Sequence, residues 1–246
     1  MVTKWERLAW PELADAVTDT TVVLVPVGAT EQHGPHLPLC TDTVIAETLC
    51  EAAAERTSAL VAPAISVGCS FGHGRRLPGT ISLTPEQLAA VARQYVEWFA
   101  QSGVRKVLFV NAHAGNAAAL GTATDHLRLE RSDVQVGAVS WWALDPQLAG
   151  EMTADGADVH ANRAETAVML AIAPELVVHE RIATADDPDR TVGLVFRYTA
   201  DNLSRNGVTG RPSEATAELG KRLFAIATDA LVTMVERAVV EVPPIG

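Results

Sequence analysis

Residues 21–27 read TVVLVPV, a nearly continuous apolar run rich in β-branched side chains. A strand with one face in water alternates apolar and polar residues. A strand without alternation is buried on both faces, as in a parallel sheet covered by helices. Parallel strands need crossover connections, so the rest of the chain must alternate between helix and strand. Residues 43–56 read as a helix, with Val44, Ile45, Thr48 and Leu49 on one face. Residues 59–64 form a short strand and 66–80 a Gly-rich loop. Thr84-Pro85-Glu86-Gln87 opens the next helix, with Thr at the N-cap, Pro at the first helical position and Gln closing a capping box. That helix runs to about Ser102 and stops at Gly103. Residues 106–110 are a third strand, 111–116 a turn, and a helix follows to about Arg131. Residues 134–139 are a fourth strand. Residues 165–173 read as helical, 186–211 as a long polar surface excursion, and 212–240 as a closing amphipathic helix. No repeat, linker or low-complexity tract interrupts this order. The expectation is an α/β protein: a single-domain three-layer α/β/α sandwich with a mostly parallel central sheet, spanning residues 1–246.

Charge narrows the partners. The formal net charge is −11, so nothing general pulls the chain onto a phosphate backbone or an anionic membrane. The basic pairs Arg75-Arg76 and Lys221-Arg222 are too short to make a footprint, and no nucleic-acid or membrane partner is expected. No stretch of about 18 apolar residues exists to span a bilayer. The N-terminal segment carries charges and no apolar core, so a signal peptide is not expected. Cys40, Cys50 and Cys69 are odd in number and irregular in spacing, which suits packed thiols in a cytoplasmic protein.

In parallel α/β sheets, ligand sites form in the loops beyond the carboxyl ends of the strands. The first such loop reads Gly28-Ala29-Thr30-Glu31-Gln32-His33-Gly34-Pro35-His36. A dinucleotide site would need G-x-G-x-x-G there, and it is absent. In extended chain, residues two apart share a side, so Glu31 and His33 aim at one point, with Asp42 at the mouth of the next helix. Glu, His and Asp supply the mixed N/O ligand set of Zn, Mn or Fe sites. An ordinary polar surface loop reads the same way. The turn after the third strand places His113 between Asn111 and Asn116; Asn116 could equally cap the next helix. A third segment carries His160 and then Glu165, in the first turn of a helix where the dipole favours an acid anyway. The conjunction is more telling than any member. Glu31, Asp42 and Glu165 brought together without a cation would repel and take up protons. Two dications balance three carboxylates and one hydroxide, so two divalent ions per chain are expected.

At these residues the sequence resembles the creatininase (creatinine amidohydrolase) family. The resemblance rests on Gly28 through Pro38 with Asp42, on Asn111-x-His113-x-Gly115-Asn116, on His160 with Glu165-Thr166, on Leu77-Pro78-Gly79-Thr80, and on Gly207-Val208-x-Gly210-x-Pro212. It implies a metal-dependent hydrolase of unusual C–N bonds, an α/β/α fold and a homohexamer. Carried over by position, Glu31 and His113 hold one metal, His33 and Glu165 the other, Asp42 bridges, and His160 is the catalytic histidine. Trp141-Trp142 follows the fourth strand, where family members place a Trp over the substrate, and Trp142 is taken for that role; at least one of the two is expected in the core or an interface.

Departures from the family pattern shape the substrate expectation. Creatinine-hydrolysing members carry Glu where Gly115 stands, so creatinine is not expected, and Gly115 is read as leaving room beside the metals. The 66–80 loop lacks the Ser-Gly-Glu-His run of mycofactocin-type peptidases, which weakens that alternative. Arg163, Arg75 and Arg76 are available to read an anionic substrate group, or point to solvent; His73 is placed on the substrate side. The expected small-molecule substrate is a small polar cyclic amide or formamide in a small polar pocket. The rivals are the mycofactocin-type peptidase and a catalytically silent metal-binding oligomer.

Overall fold

The computed structural model describes residues 2–74 and 76–243. Four strands form one wholly parallel sheet in the order β2-β1-β3-β4: β1 Val22–Val27, β2 Leu60–Val61, β3 Lys106–Asn111 and β4 Gln135–Ser140. Val23 pairs with Leu60, Val25 with Phe109, and Phe109 with Ala138. Every residue of β1 is buried, as its unalternated sequence requires. The pleat then divides it between two cores. Val22 and Leu24 face one cluster with Ile45, Leu49, Val168, Leu223 and Leu231. Val23, Val25 and Val27 face the other, with Leu88, Val96, Leu120 and Leu127.

Helices supply those outer layers. On one side lie α2 Thr41–Arg56, α6 Arg163–Ile172 and α9 Ala217–Val240; on the other lie α3 Pro85–Gln101 and α4 Ala117–Glu130. The capping box at Thr84 forms as expected, with Thr84 Oγ1 accepting from the Gln87 N–H. The α6 and α9 backbones approach closely, because a Cβ at Gly220 would lie 1.8 Å from the Ala167 carbonyl oxygen. Lys106 Nζ, at the start of β3, donates to the carbonyls of Ala238, Val239 and Glu241 and so closes the end of α9.

Several boundaries differ from expectation. The second strand keeps two paired residues rather than 59–64, since Pro63 has no N–H for a ladder and Ile65 rejoins only through an isolated bridge to Val27. The closing helix begins at Ala217, capped by Thr216, and Pro212–Glu214 is a separate 3₁₀ turn. Two helices were not legible, α1 Trp10–Ala16 and α5 Pro146–Met152; two short ones, α7 His179–Ile182 and α8 Ala200–Leu203, punctuate the later excursion. That excursion is not all surface. Val192 and Phe196 are exposed, but Asp187, Ser204, Val208 and Thr209 are buried. Bridges Asp187–Gly210 and His160–Thr209 return the chain to the third chemical segment. Among the described residues no helix is long and apolar enough to cross a membrane.

Candidate metal centre and cavity

The β1 loop, the β3 turn and the start of α6 meet at one end of the sheet. Each is fixed by backbone geometry. A Cβ at Gly28 would lie 2.4 Å from the Thr43 N, so only glycine lets the loop lie against the start of α2, where Asp42 projects. Asn116 does not cap α4. Its amide donates to Gly28 O and Asn111 Oδ1, and its Oδ1 accepts from the Cys69 N–H. Asn111 clamps both backbone groups of His113. The two amides therefore wedge three loops together, a role that sequence reasoning missed. Asn162 caps α6 through the N–H groups of Ala164 and Glu165, which sets Glu165 in the first helical turn.

Glu31, His33, Asp42, His113, His160 and Glu165 are all buried there. Donor atoms of Glu31, His33 and Asp42 lie within 4.8 Å of one another. The imidazoles show a common arrangement. His33 Nδ1 donates to the Glu31 carbonyl at 3.1 Å, His113 Nε2 to the Cys69 carbonyl at 3.0 Å, and His160 Nε2 to the Gln32 carbonyl at 2.7 Å. With those outer nitrogens protonated, each inner nitrogen carries a lone pair. His33 Nε2 faces Asp42 Oδ1 at 3.1 Å. His113 Nδ1 faces Glu31 Oε1 and Asp42 Oδ2, each at 3.3 Å, and His160 Nδ1 faces Glu31 Oε1 at 3.3 Å. With neutral rings, acceptor thus faces acceptor at every inner contact, an arrangement that either a proton or a metal cation between them resolves.

The carboxylates make the same demand. Neither oxygen of Glu31, nor Asp42 Oδ2, nor Glu165 Oε2 has a hydrogen-bond partner among the described residues. Buried carboxylate oxygens without donors are costly. Divalent metal suits this mixed N/O set, and the carbonyls on the outer imidazole nitrogens are the supports that metal-binding histidines use. Proton affinities report the same field. Burial alone would push His33 down, but the Asp42 carboxylate outweighs it and pushes it up to about 10. Burial opposes protonation of His113 too, yet Glu31 and Asp42 push it up to about 9. Burial pushes Glu165 up to about 7, against His33 and with the help of Asp42 and Glu31. His160 goes the other way: burial, with His73 and His33 nearby, pushes it well below the usual imidazole range.

A cavity of about 420 Å³ opens onto this centre. His73, His113, His160 and Glu165 line its inner end; Trp142, Met152, Val159, Tyr198 and Leu203 line much of the rest. The expectation of a small polar pocket is therefore corrected. Only Met152 and Leu203 of that apolar wall belong to α-helices, α5 and α8; Trp142, Val159 and Tyr198 come from the segments beside them. Trp142 and His73 both line this cavity, and Trp141 is the core residue of the pair, meeting Trp142 edge to face. Gly115 does not leave room. A Cβ there would lie 2.2 Å from Cys69 O and 2.5 Å from His113 Nε2, so the glycine serves the carbonyl–imidazole contact.

The arginines stand apart. Arg163 pairs with Glu151 at 2.5 Å and is not among the cavity-lining residues; from the first position of α6 its side chain runs to α5. Arg76 donates to the Ser204 carbonyl. Arg75 lies outside the described residues. A second histidine of the first loop, His36, is fully buried with Nε2 2.8 Å from Thr166 Oγ1. It ties the loop to α6, and only its repetition in the HGPH run hinted at it.

An orphaned carboxylate cluster with imidazole lone pairs, opening onto a cavity at the sheet's carboxyl end, defines a metal-dependent hydrolase in this fold. The family model described as creatinine amidohydrolase matches residues 6–235, and the chain belongs to the creatininase family. Members are hydrolases acting on C–N bonds, and this chain is a metal-dependent amidohydrolase of that kind. A mycofactocin precursor peptide peptidase of Mycobacterium tuberculosis is 37% identical over 227 residues, covering 87% of this chain and 84% of the relative. A creatinine amidohydrolase of Pseudomonas putida is 28% identical, covering 97% and 96%. A mutant creatininase of Zn-Zn type superposes with a TM-score of 0.83 at 26% identity, covering 98% of this chain and all of that one. The peptidase shares more residues than the amidohydrolase, despite the missing Ser-Gly-Glu-His run.

Proposed function

We propose that this chain uses two divalent metal ions to hydrolyse the amide of a peptide end, or of a peptide-derived cyclic amide, that carries an apolar group. The observation behind this reading is the cavity itself, which joins the buried carboxylate–imidazole centre to the wall of Trp142, Met152, Val159, Tyr198 and Leu203. The 37% identity to a precursor-peptide peptidase points the same way. Glu31 and His113 would hold one ion and His33 and Glu165 the other, with Asp42 shared between them. Zinc is the first choice, with manganese and iron as the other metals compatible with the ligand set. Such ions lower the pKa of a water from 15.7 to about 7 and polarise the amide carbonyl.

The chain's own groups do the rest. Glu31, Asp42 and Glu165 would supply the carboxylate oxygens that hold the ions. The Gln32 carbonyl keeps the His160 proton on Nε2, so Nδ1 is free to take the proton of the attacking water and pass it to the leaving nitrogen. The apolar wall holds the substrate's side chain and keeps bulk water off. The free cysteines and the family likeness support a cytoplasmic homohexamer. A smaller polar cyclic amide or formamide is the second reading, supported by the full-length similarity to a creatinine amidohydrolase.

The test is turnover by zinc-loaded protein on one panel: short peptides ending in apolar residues, apolar lactams, formamides and creatinine. Cleavage of the apolar amides is expected. Cleavage of formamides or polar lactams alone would move the assignment to the second reading. No turnover of any amide by metal-loaded protein would leave a silent metal-binding protein.

A further inference from the structure

His73 lies outside the proposed ligand set, yet it lines the inner end of the cavity. One of its ring nitrogens lies within 4.8 Å of ligand atoms of both Glu31 and His160. Its ring centroid is 4.3 Å from that of His160. The loop that carries it is held from two sides. The His73 N–H donates to Ser70 O at 2.9 Å. Thr80 Oγ1 donates to His73 O at 3.4 Å and accepts the Gln32 N–H at 3.1 Å.

The tautomer of His73 follows from Gln32. Gln32 Oε1 accepts the Gly34 N–H at 3.0 Å. Its Nε2 donates to the Gly207 carbonyl at 3.5 Å, and these two partners fix which end of the amide points where. Its Nε2 lies 3.0 Å from His160 Nε2, whose hydrogen goes to the Gln32 backbone carbonyl, and 3.2 Å from His73 Nδ1, to which it donates. Nδ1 must accept, which places the ring hydrogen on Nε2. No described residue takes that hydrogen. Gln32 also holds the His160 proton on Nε2 through its carbonyl. Gln32 thus touches both imidazoles at the cavity's inner end, His160 through its backbone carbonyl and His73 through its side-chain amide.

We infer that His73 is a further catalytic residue: its Nε2–H donates a hydrogen bond to the substrate's amide oxygen, strengthening as negative charge develops there, and Gln32 is the positioning residue that keeps it a donor. No proton changes hands at His73. A preorganised neutral donor in a water-poor site needs no reorganisation during the reaction, and removing one such donor typically costs about 10²–10³ in kcat. The inference rests on the amide-hydrolase reading above.

Two measurements test it. Long-range ¹H–¹⁵N spectra of histidine rings in the zinc-loaded protein read the tautomer without any substrate. The expected result is Nε2–H for His73 in the wild type and Nδ1–H in Gln32→Glu, whose carboxylate can only accept. An Nδ1–H or doubly protonated His73 in the wild type overturns the inference, whatever the substrate proves to be. Kinetics on a cleaved amide supply the second arm. His73→Ala should lose about 10²–10³-fold in kcat with KM and bound zinc unchanged. His73→Gln, whose Nε2 falls near the imidazole Nε2, should recover part of it; His73→Asn should not. A rise in KM alone, a loss of zinc, or equal activity of the Gln and Asn variants would each refute the donor role. Absence of any amide turnover in the wild type would refute the hydrolase reading, and the spectra would still decide the state of His73.

Discussion

Replacing Gly115 with alanine should release metal without touching a proposed ligand. The new Cβ would stand 2.2 Å from the Cys69 carbonyl oxygen and 2.5 Å from His113 Nε2, whereas ordinary contact begins at 3.4 Å. The carbonyl must retreat by about 1.2 Å, the difference of those distances. The 3.0 Å bond from His113 Nε2 to Cys69 O cannot survive that shift. Loss of such an outer support typically weakens metal affinity about 10–100-fold, or about 1.4–2.7 kcal/mol at about 1.36 kcal/mol per decade. Overpacking adds about 1–3 kcal/mol of destabilisation. Competition with a chromogenic chelator reads the affinity and thermal melts read the stability. Wild-type zinc affinity in Gly115→Ala would show that the Cys69 carbonyl does not orient His113. Gly115→Glu should behave the same way, and should not gain creatinine turnover.

His160→Ala is expected to keep its metal and lose about 10²–10⁴ in kcat, the range for a lost general acid–base group; metal loss in this variant would make His160 a ligand. Arg163→Ala should leave KM unchanged, because the guanidinium is engaged by Glu151; a large rise in KM would bring it back to the substrate. Asp187 should make the 186–211 excursion acid-sensitive. Burial raises its pKa, but Arg190, the Arg205 N–H and Ser204 prevail and lower it. A depressed carboxyl stabilises the fold above its unfolded pKa of about 3.9 and loses that contribution as pH falls through the folded value. Proteolysis within residues 190–200 should therefore accelerate below about pH 4, and in Asp187→Asn already at neutral pH. Equal cleavage rates across pH in both proteins would contradict this.

The sheet was legible because burial on both faces leaves a mark in composition: TVVLVPV cannot be a surface strand. The buried chemistry was legible because Glu31, His33, Asp42, His113, His160 and Glu165 are rare residue types to find together at strand ends. What stayed hidden was set by backbone contacts between distant segments. Asn111 and Asn116 looked like turn and cap residues, and only the fold shows them binding Gly28 and Cys69. Gly115 looked like empty space, since a missing side chain reads the same whether it leaves a gap or admits a carbonyl. The apolar cavity wall was missed because its members are scattered: Trp142, Val159 and Tyr198 lie outside any α-helix, and α5 and α8, which add Met152 and Leu203, are only one to two turns long, too short for a helical period to emerge. Arg163 was misplaced because sequence proximity to Glu165 does not give direction: the two leave α6 toward different neighbours.

Anomalous diffraction from crystals of the zinc-loaded protein tests the central claim most directly. The account predicts two peaks per chain, one touching Glu31 and His113, the other His33 and Glu165, with Asp42 touching both and neither His73 nor His160 in contact. A single peak, or one bound by His73 and His160 together with Glu31, would contradict it.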